Sequence, residues 1–138
     1  MVRSANSRLK HSPGLTGDVA AALLHFDDLA WLAESRLCEL QQVQDRARRS
    51  NALFAEGIAL RAFLEQSAHK VIDRLPAGDR RSERIRFTVN GVLHGQSIAS
   101  LARTQGKSRE YWSRSVWRQA VLLIARELVQ QERLPATA

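Results

Sequence analysis

Small and polar residues recur at fixed spacing in residues 95–114, and this spacing restricts the folds open to the chain. Ala102 is followed four residues later by Gly106, and Trp112 comes ten residues after Ala102. A small alanine lets two helices cross closely, a glycine provides a turn position with positive φ, and Ser108 is placed to cap a second helix. The spacing therefore predicts a short helix, a tight turn and a second helix, the order of a helix-turn-helix.

The positive charge of the chain is concentrated around this stretch. The formal net charge is +7 over 138 residues. Residues 79–138 hold 11 basic and 5 acidic side chains, a net charge of +6, and residues 18–78 hold 7 and 9, a net charge of −2. Residues 1–17 hold three basic residues and no acidic one. This distribution favours an anionic partner such as DNA, although a solvated basic surface would have the same composition.

The composition also excludes several classes of protein. The single cysteine, Cys38, rules out an intramolecular disulfide, and its place in an apolar-periodic run favours a buried thiol. No apolar run approaches the length of a membrane span, and the N-terminus lacks the apolar core of a signal peptide. We therefore expect a cytoplasmic protein with no membrane partner.

Signals for catalysis or metal binding are weak. The four histidines are far apart in sequence and have no metal-ligand spacing with a cysteine or carboxylate: His11, His25, His69 and His94. Asp27 and Asp28 are neighbours, and on a helix their side chains diverge. There is no glycine-rich loop of the kind that holds phosphates. We expect no enzyme activity, no metal and no cofactor.

The N-terminal part of the chain is interpreted as an arm followed by helices. Residues 1–17 read as a flexible basic arm, with Thr16 or Asp18 as the cap of the first helix. An apolar stripe then predicts one helix, with Ala33 and Val43 at its edges and Leu29, Leu32, Leu37 and Leu40 along it. The polar residues 46–51 predict a turn, with helix continuation as the alternative.

Two further helices are predicted before residues 95–114. The first runs over about residues 50–75, because apolar residues recur there at spacings of three and four, and Pro76 and Gly78 end it. Asp79 is expected to cap the next helix, which ends at His94 and Gly95. Its buried face would hold Ile85, Val89 and Val92, although residues 87–89 also fit a short strand.

The C-terminal part completes an all-α fold. Residues 97–105 predict a short helix, and Ser108 to about Gln131 predicts one long helix with two adjacent apolar stripes. The first stripe comprises Trp112, Val116, Ala120 and Leu123. The second comprises Trp117, Val121, Ile124 and Leu128. A face this wide is either wedged against the N-terminal helices or forms a dimer interface. The expected architecture is a helical bundle with two regions. Residues 18–78 form an N-terminal helical region used for packing, dimerisation or partner binding. Residues 79–134 form the helix-turn-helix region.

Residues 90–120 resemble the helix-turn-helix of sigma-factor region 4 and its relatives. Those motifs run Leu-x-Gly-x-Ser, Ile-Ala, Leu-Gly and Ser-Arg-x-x-Val-x-Arg, with an alanine further on. The matching residues are Leu93, Gly95, Ser97, Leu101, Ala102, Gly106, Ser108, Arg109, Arg114 and Ala120. Two residues depart from the pattern, since Gln105 replaces an apolar residue and Trp112 replaces a valine or isoleucine. A looser similarity over residues 59–129 is to a helical module of bacterial multidomain regulatory proteins, not to a complete sigma factor.

The resemblance implies which residues would contact DNA. Four would face the major groove: Arg109, Glu110, Ser113 and Arg114. Trp117 and Arg118 would lie near its rim. Contacts to phosphate or sugar are expected from Gln96, Ser97, Arg103, Lys107 and Tyr111, with inward packing as the alternative for Tyr111. Four arginines further upstream either reach the DNA backbone or only solvate a helix face: Arg80, Arg81, Arg84 and Arg86.

Two functions are compatible with these features. The first is a sequence-specific double-stranded DNA-binding protein, a bacterial transcriptional regulator that reads the major groove with the helix starting at Ser108 and forms a homodimer. The alternative is a helical protein-interaction module that uses its wide C-terminal apolar stripe to bind RNA polymerase or another regulatory protein.

Overall fold

The chain is all-α, as predicted. The computed structural model describes residues 13–37 and 55–137, and the secondary structure elements in these ranges are all helical. The helices are α1 (Pro13–Leu24), α2 (Leu29–Glu34), α3 (Ala55–Arg74), α4 (Arg80–Leu93), α5 (Ile98–Thr104) and α6, which comprises Arg109–Trp112, a π-helical turn over Ser113–Trp117, and Arg118–Thr137. Cys38, the predicted turn at residues 46–51 and most of the predicted N-terminal arm lie outside the described residues.

The N-terminal helices differ from the prediction in two ways. Helix α1 begins at Pro13, so Thr16 and Asp18 lie inside the helix and do not cap it. Proline is well tolerated in the first helical turn, where its missing N–H has no intrahelical partner to lose. The predicted single helix is also wrong, because the chain turns after Leu24 and Asp28 caps α2 by accepting a hydrogen bond from the Trp31 N–H at 3.0 Å. The carboxylate satisfies a backbone donor that a continuous helix would pair internally.

Helix α4 has the cap and the buried face that the sequence predicts. The Asp79 carboxylate accepts hydrogen bonds from the Ser82 hydroxyl at 2.8 Å and the Ser82 N–H at 3.0 Å. These bonds hold the pKa of Asp79 below its usual value. Ile85, Val89 and Val92 are buried, and the residues that also fitted a strand are helical. The cap fixes where α4 begins, and α4 in turn supports the two helices that follow.

Helix α6 packs against α1, α3 and α4, and one hydrophobic core spans the N-terminal and C-terminal helices. Both predicted stripes of α6 face this core: Val116, Ala120, Val121, Ile124 and Leu128 are buried, together with both tryptophans, and Leu123 is half-buried. The wide apolar face is therefore covered by the chain's own helices. Of the two alternatives for this face, packing against the chain's own helices is observed, not exposure as a dimer interface.

Helices α4 and α5 approach each other closely at Gly91. This residue is buried in the last turns of α4, and a Cβ built there would lie 2.4 Å from Leu101 Cδ2 and 2.8 Å from Gln96 Oε1. A larger residue at position 91 would require the side chains of Leu101 and Gln96 to move from these positions. Glycine therefore leaves room for both side chains against the last turns of α4.

Candidate nucleic-acid interface

The turn between α5 and α6 has the geometry that the spacing predicts. Ser97 Oγ accepts a hydrogen bond from the Ser100 N–H at 3.1 Å and so caps α5. At the other end, the Lys107 N–H donates to the Ala102 carbonyl at 2.9 Å and the Gly106 N–H donates to the Arg103 carbonyl at 3.0 Å. Gly106 has φ +69°. This pair of bonds around a left-handed glycine is a Schellman motif, which closes α5 and reverses the chain within a few residues.

Helix α6 starts at a second serine cap and is anchored by a tryptophan. Ser108 Oγ accepts a hydrogen bond from the Tyr111 N–H at 3.1 Å. Trp112 is 0% exposed, and its Nε1–H donates to Thr88 Oγ1 at 2.8 Å. The larger residue at this position thus fills the space between α4 and α6 and gains a polar partner there. Ala102 on α5 is also buried.

A π-helical turn follows Trp112 and was not predicted from the sequence. The Arg118 N–H bonds the Ser113 carbonyl, five residues back. Trp117 is 8% exposed, so the expectation that it lies at the groove rim is wrong. Tryptophans five residues apart would point about 140° apart on an α-helix, and the extra residue in the turn lets both reach the core.

The other residues expected to contact DNA lie at the surface. Those classed as exposed are Gln96, Ser97, Arg103, Lys107, Arg109, Glu110, Tyr111, Arg114 and Arg118, whereas Ser113 is half-buried. Ser97 uses one acceptor site of its hydroxyl in the cap of α5, and the hydroxyl hydrogen can donate outward. The first turns of α6 thus present basic and polar side chains on one side and Trp112 on the other.

The four arginines of α4 have different roles. Arg86 donates to the carbonyls of Leu75 at 3.1 Å and Ile72 at 3.4 Å, and so satisfies the end of α3. Arg81 donates from Nε to Gln119 Oε1 on α6. Arg84 lies over the Trp112 ring, 5.6 Å from its centroid. Arg86 therefore has a structural role at the end of α3. Arg80, Arg81 and Arg84 lie beside α6.

Three of these arginines line a groove between α4 and α6, which we call the α4–α6 groove. It has a volume of about 380 Å³, and its lining includes Arg80, Arg81, Arg84, Tyr111 and Ser115. Hydrogen bonding from Arg84, followed by its positive charge, lowers the pKa of the Tyr111 phenol below its usual value. The Lys107 ammonium lies 5.5 Å from the Tyr111 ring centroid. This groove extends the basic surface from the α5–α6 turn onto α4, which the sequence alone did not resolve.

Comparisons with known proteins find no relative: no family model, no curated protein and no solved structure matches the chain. Among the residues that the structure describes, no three or more histidine, cysteine, aspartate or glutamate side chains are grouped to hold a metal ion. Within the same residues, no helix has both the length and the apolar character needed to cross a bilayer. The site is therefore interpreted from its own geometry.

Proposed function

We propose that this protein binds double-stranded DNA in a sequence-specific manner and regulates transcription in a bacterial cytoplasm. The observation that carries the proposal is the exposure of Arg109, Glu110 and Arg114 on the first turns of a helix that is capped, anchored on its inner side and preceded by a tight turn. In a helix-turn-helix, this is the part of the second helix that enters the major groove. We call residues 109–118 the recognition segment.

Base reading would fall to the charged side chains of the recognition segment. An arginine can donate two hydrogen bonds to O6 and N7 of guanine, which gives about 1–3 kcal/mol of discrimination for each good pair. We assign this role to Arg109 and Arg114, which are exposed on the first turns of α6. Glu110 either accepts a hydrogen bond from cytosine N4 or stabilises the N-terminus of α6 through the helix dipole.

Backbone anchoring would come from the surfaces on both sides of the recognition segment. Arg103 and Lys107 flank the α5–α6 turn and are exposed. On the other side, the α4–α6 groove adds the guanidinium groups of Arg80 and Arg81 and the phenol of Tyr111. Cations distributed in this way would hold the phosphates of the two strands that border the major groove, and such contacts fix register without reading sequence.

The N-terminal helices would support this interface by packing against α6. A homodimer remains part of the proposal, because paired half-sites extend the sequence that one short helix can read. Its interface would lie outside the two α6 stripes, since these are buried within the chain. For the same reason the alternative, an interaction module that binds RNA polymerase or another regulatory protein through those stripes, has no observation in its favour.

The salt dependence of DNA binding tests this proposal. For a labelled 24-base-pair duplex, the affinity should fall by about two orders of magnitude between 50 and 200 mM salt, because about four phosphate contacts each contribute a slope of about −0.9 in log affinity against log salt. Fluorescence anisotropy measures the slope. The double variant Arg103→Ala/Lys107→Ala should reduce its magnitude by about two.

The matched control removes two exposed positive charges elsewhere. Lys70 lies on α3 and Arg126 on the C-terminal half of α6, and both are exposed. The double variant Lys70→Ala/Arg126→Ala changes the net charge by the same amount and should leave the slope within about 0.5 of wild type, since neither side chain would reach a phosphate. Duplex binding that is insensitive to salt, or equal slopes for the two double variants, would contradict anchoring through the α5–α6 turn.

A further inference from the structure

Thr88 is a buried hydroxyl with both of its hydrogen-bonding capacities in use. It lies in the middle of α4 and is 0% exposed. Its Oγ1 accepts a hydrogen bond from Trp112 Nε1–H at 2.8 Å and donates to the Arg84 carbonyl at 2.7 Å. The hydroxyl orientation is therefore fixed by the α4 backbone on one side and by the tryptophan of α6 on the other.

This bond ties the rotation of α6 to α4. The indole N–H is a donor with no capacity to accept, so a buried tryptophan needs an acceptor at one defined position. Rolling or sliding the start of α6 against α4 would break the Thr88–Trp112 bond and leave the buried indole N–H without an acceptor. Trp112 falls inside the recognition segment, three residues after Arg109. The bond thus acts on the same two turns that carry the exposed charged side chains.

Because of the π-helical turn, the relative placement of the exposed side chains in the recognition segment depends on the burial of Trp112. Because the Arg118 N–H bonds the Ser113 carbonyl, Arg118 follows Ser113 by one helical turn. On an uninterrupted α-helix it would instead follow Arg114, four residues earlier. Compared with an uninterrupted α-helix, the exposed side chains after the π-helical turn are therefore shifted by one residue position relative to those before it. Their relative placement is maintained by the burial of Trp112 at one end of the turn and Trp117 at the other.

We propose that Thr88 is a positioning residue that sets the base preference of the protein through Trp112, without contacting DNA. The inference rests on the proposed function and deepens it. The hydrogen bond fixes the roll of the recognition segment, so the arginine side chains approach base edges from one direction. If the bond is lost, α6 remains packed through its apolar stripes but can roll, and guanidinium groups that need two aligned hydrogen bonds lose that alignment. Phosphate contacts tolerate such a roll because they need only charge and proximity.

The test compares Thr88→Val, which keeps the shape of the side chain and removes its hydroxyl, with Thr88→Ser, which keeps the hydroxyl. The measured quantity is the ratio of affinities for a duplex selected by the wild-type protein and for a scrambled duplex. Thr88→Val should lower this ratio about tenfold, comparable with the loss of one bidentate base contact, while affinity for the scrambled duplex stays within about twofold. Thr88→Ser should restore the ratio.

A matched control separates positioning from a general loss of packing. Ser67 is likewise 0% exposed, and its hydroxyl bonds the Phe63 carbonyl at 2.8 Å and lies 3.3 Å from Gln131 Oε1 on α6, far along the helix from the recognition segment. Ser67→Ala should leave the ratio at the wild-type value. All variants are measured where circular dichroism shows them to be folded. An unchanged ratio in Thr88→Val, or an equal loss for selected and scrambled duplexes, would overturn the inference.

A second measurement, made without DNA, distinguishes this inference from the proposed function. In ¹H–¹⁵N spectra of the free protein, Thr88→Val should shift the indole N–H resonance of Trp112 and the amides of residues 109–113, with the indole resonance of Trp31 unmoved. If these resonances do not shift, Thr88 does not position the segment. If they shift and the ratio is unchanged, positioning does not govern specificity. If the wild-type protein binds no duplex at all, the proposed function fails first, and the role in base preference fails with it.

Discussion

Replacing Arg109 and Arg114 together by alanine is expected to abolish the preference for a selected sequence and to weaken binding of that sequence by at least about 30-fold, since two bidentate base contacts contribute about 1–3 kcal/mol each. Both guanidinium groups lie on exposed positions of the recognition segment, before and within the π-helical turn. Their removal leaves the caps and the buried anchor of α6 in place. The helix should therefore stay folded while it loses its main base contacts.

The lysine variant separates base reading from charge. Arg109→Lys/Arg114→Lys keeps both positive charges but replaces the planar fork by a point charge, which does not reproduce bidentate geometry. We expect the preference for the selected duplex to fall in this variant as well, while affinity for a scrambled duplex remains near the wild-type value. Anisotropy titrations with both duplexes measure the effect. A preference that survives the double alanine change would show that base reading lies elsewhere on the protein.

The largest expected effect on stability comes from Trp112→Ala, which should lower the free energy of unfolding by about 3–5 kcal/mol. The side chain is 0% exposed and packs between α4 and α6. Its removal opens a cavity between these helices and leaves the Thr88 hydroxyl without its donor. For a chain of this length, the expected fall in Tm is about 10–20 °C. The change should also eliminate specific DNA binding, since the recognition segment loses its anchor.

Trp31→Ala serves as the matched control for this truncation. Trp31 is half-buried on α2, and its ring stacks on that of His25 with centroids 4.2 Å apart. Because the same side chain is removed from a site that water already reaches, a loss of no more than about half that of Trp112→Ala is expected. Urea denaturation followed by circular dichroism measures both variants. A Trp112→Ala protein within about 1 kcal/mol of wild type would contradict the role of this residue as the anchor of α6.

The part of the fold that could be predicted from sequence is the part held by local hydrogen bonds. Asp79, Ser97 and Ser108 each cap a helix by accepting from an N–H three residues later, and such contacts depend on few residues. Gly106 ends α5 for the same kind of reason, since its positive φ is favourable for glycine alone. These signals were sufficient to locate α4, α5 and the start of α6.

The features that were missed depend on contacts between distant residues. The π-helical turn places both Trp112 and Trp117 in the core. The apolar stripe that includes Trp117 faces the core, whereas the position at the groove rim implied by the resemblance is wrong. Asp28 starts a new helix in a region that the sequence pattern assigns to one helix, because its cap forms only once the chain has turned after Leu24. The role of Arg86 could not be read from α4, since its partners are the carbonyls of Ile72 and Leu75 at the C-terminal end of α3. The hydrophobic periodicity of a sequence describes the faces of one helix at a time. It therefore does not reveal contacts that join two helices.

The most direct test of sequence-specific DNA binding is selection of bound duplexes from a random pool by the wild-type protein. We expect reproducible enrichment of one short motif that contains G·C pairs at fixed spacing, because arginine pairs best with guanine in the major groove. The motif should be absent when selection is repeated with Arg109→Ala/Arg114→Ala. Sequencing before and after several rounds measures the enrichment. A pool that remains random after those rounds with the wild-type protein, at a salt concentration where the protein is folded, would contradict sequence-specific DNA binding.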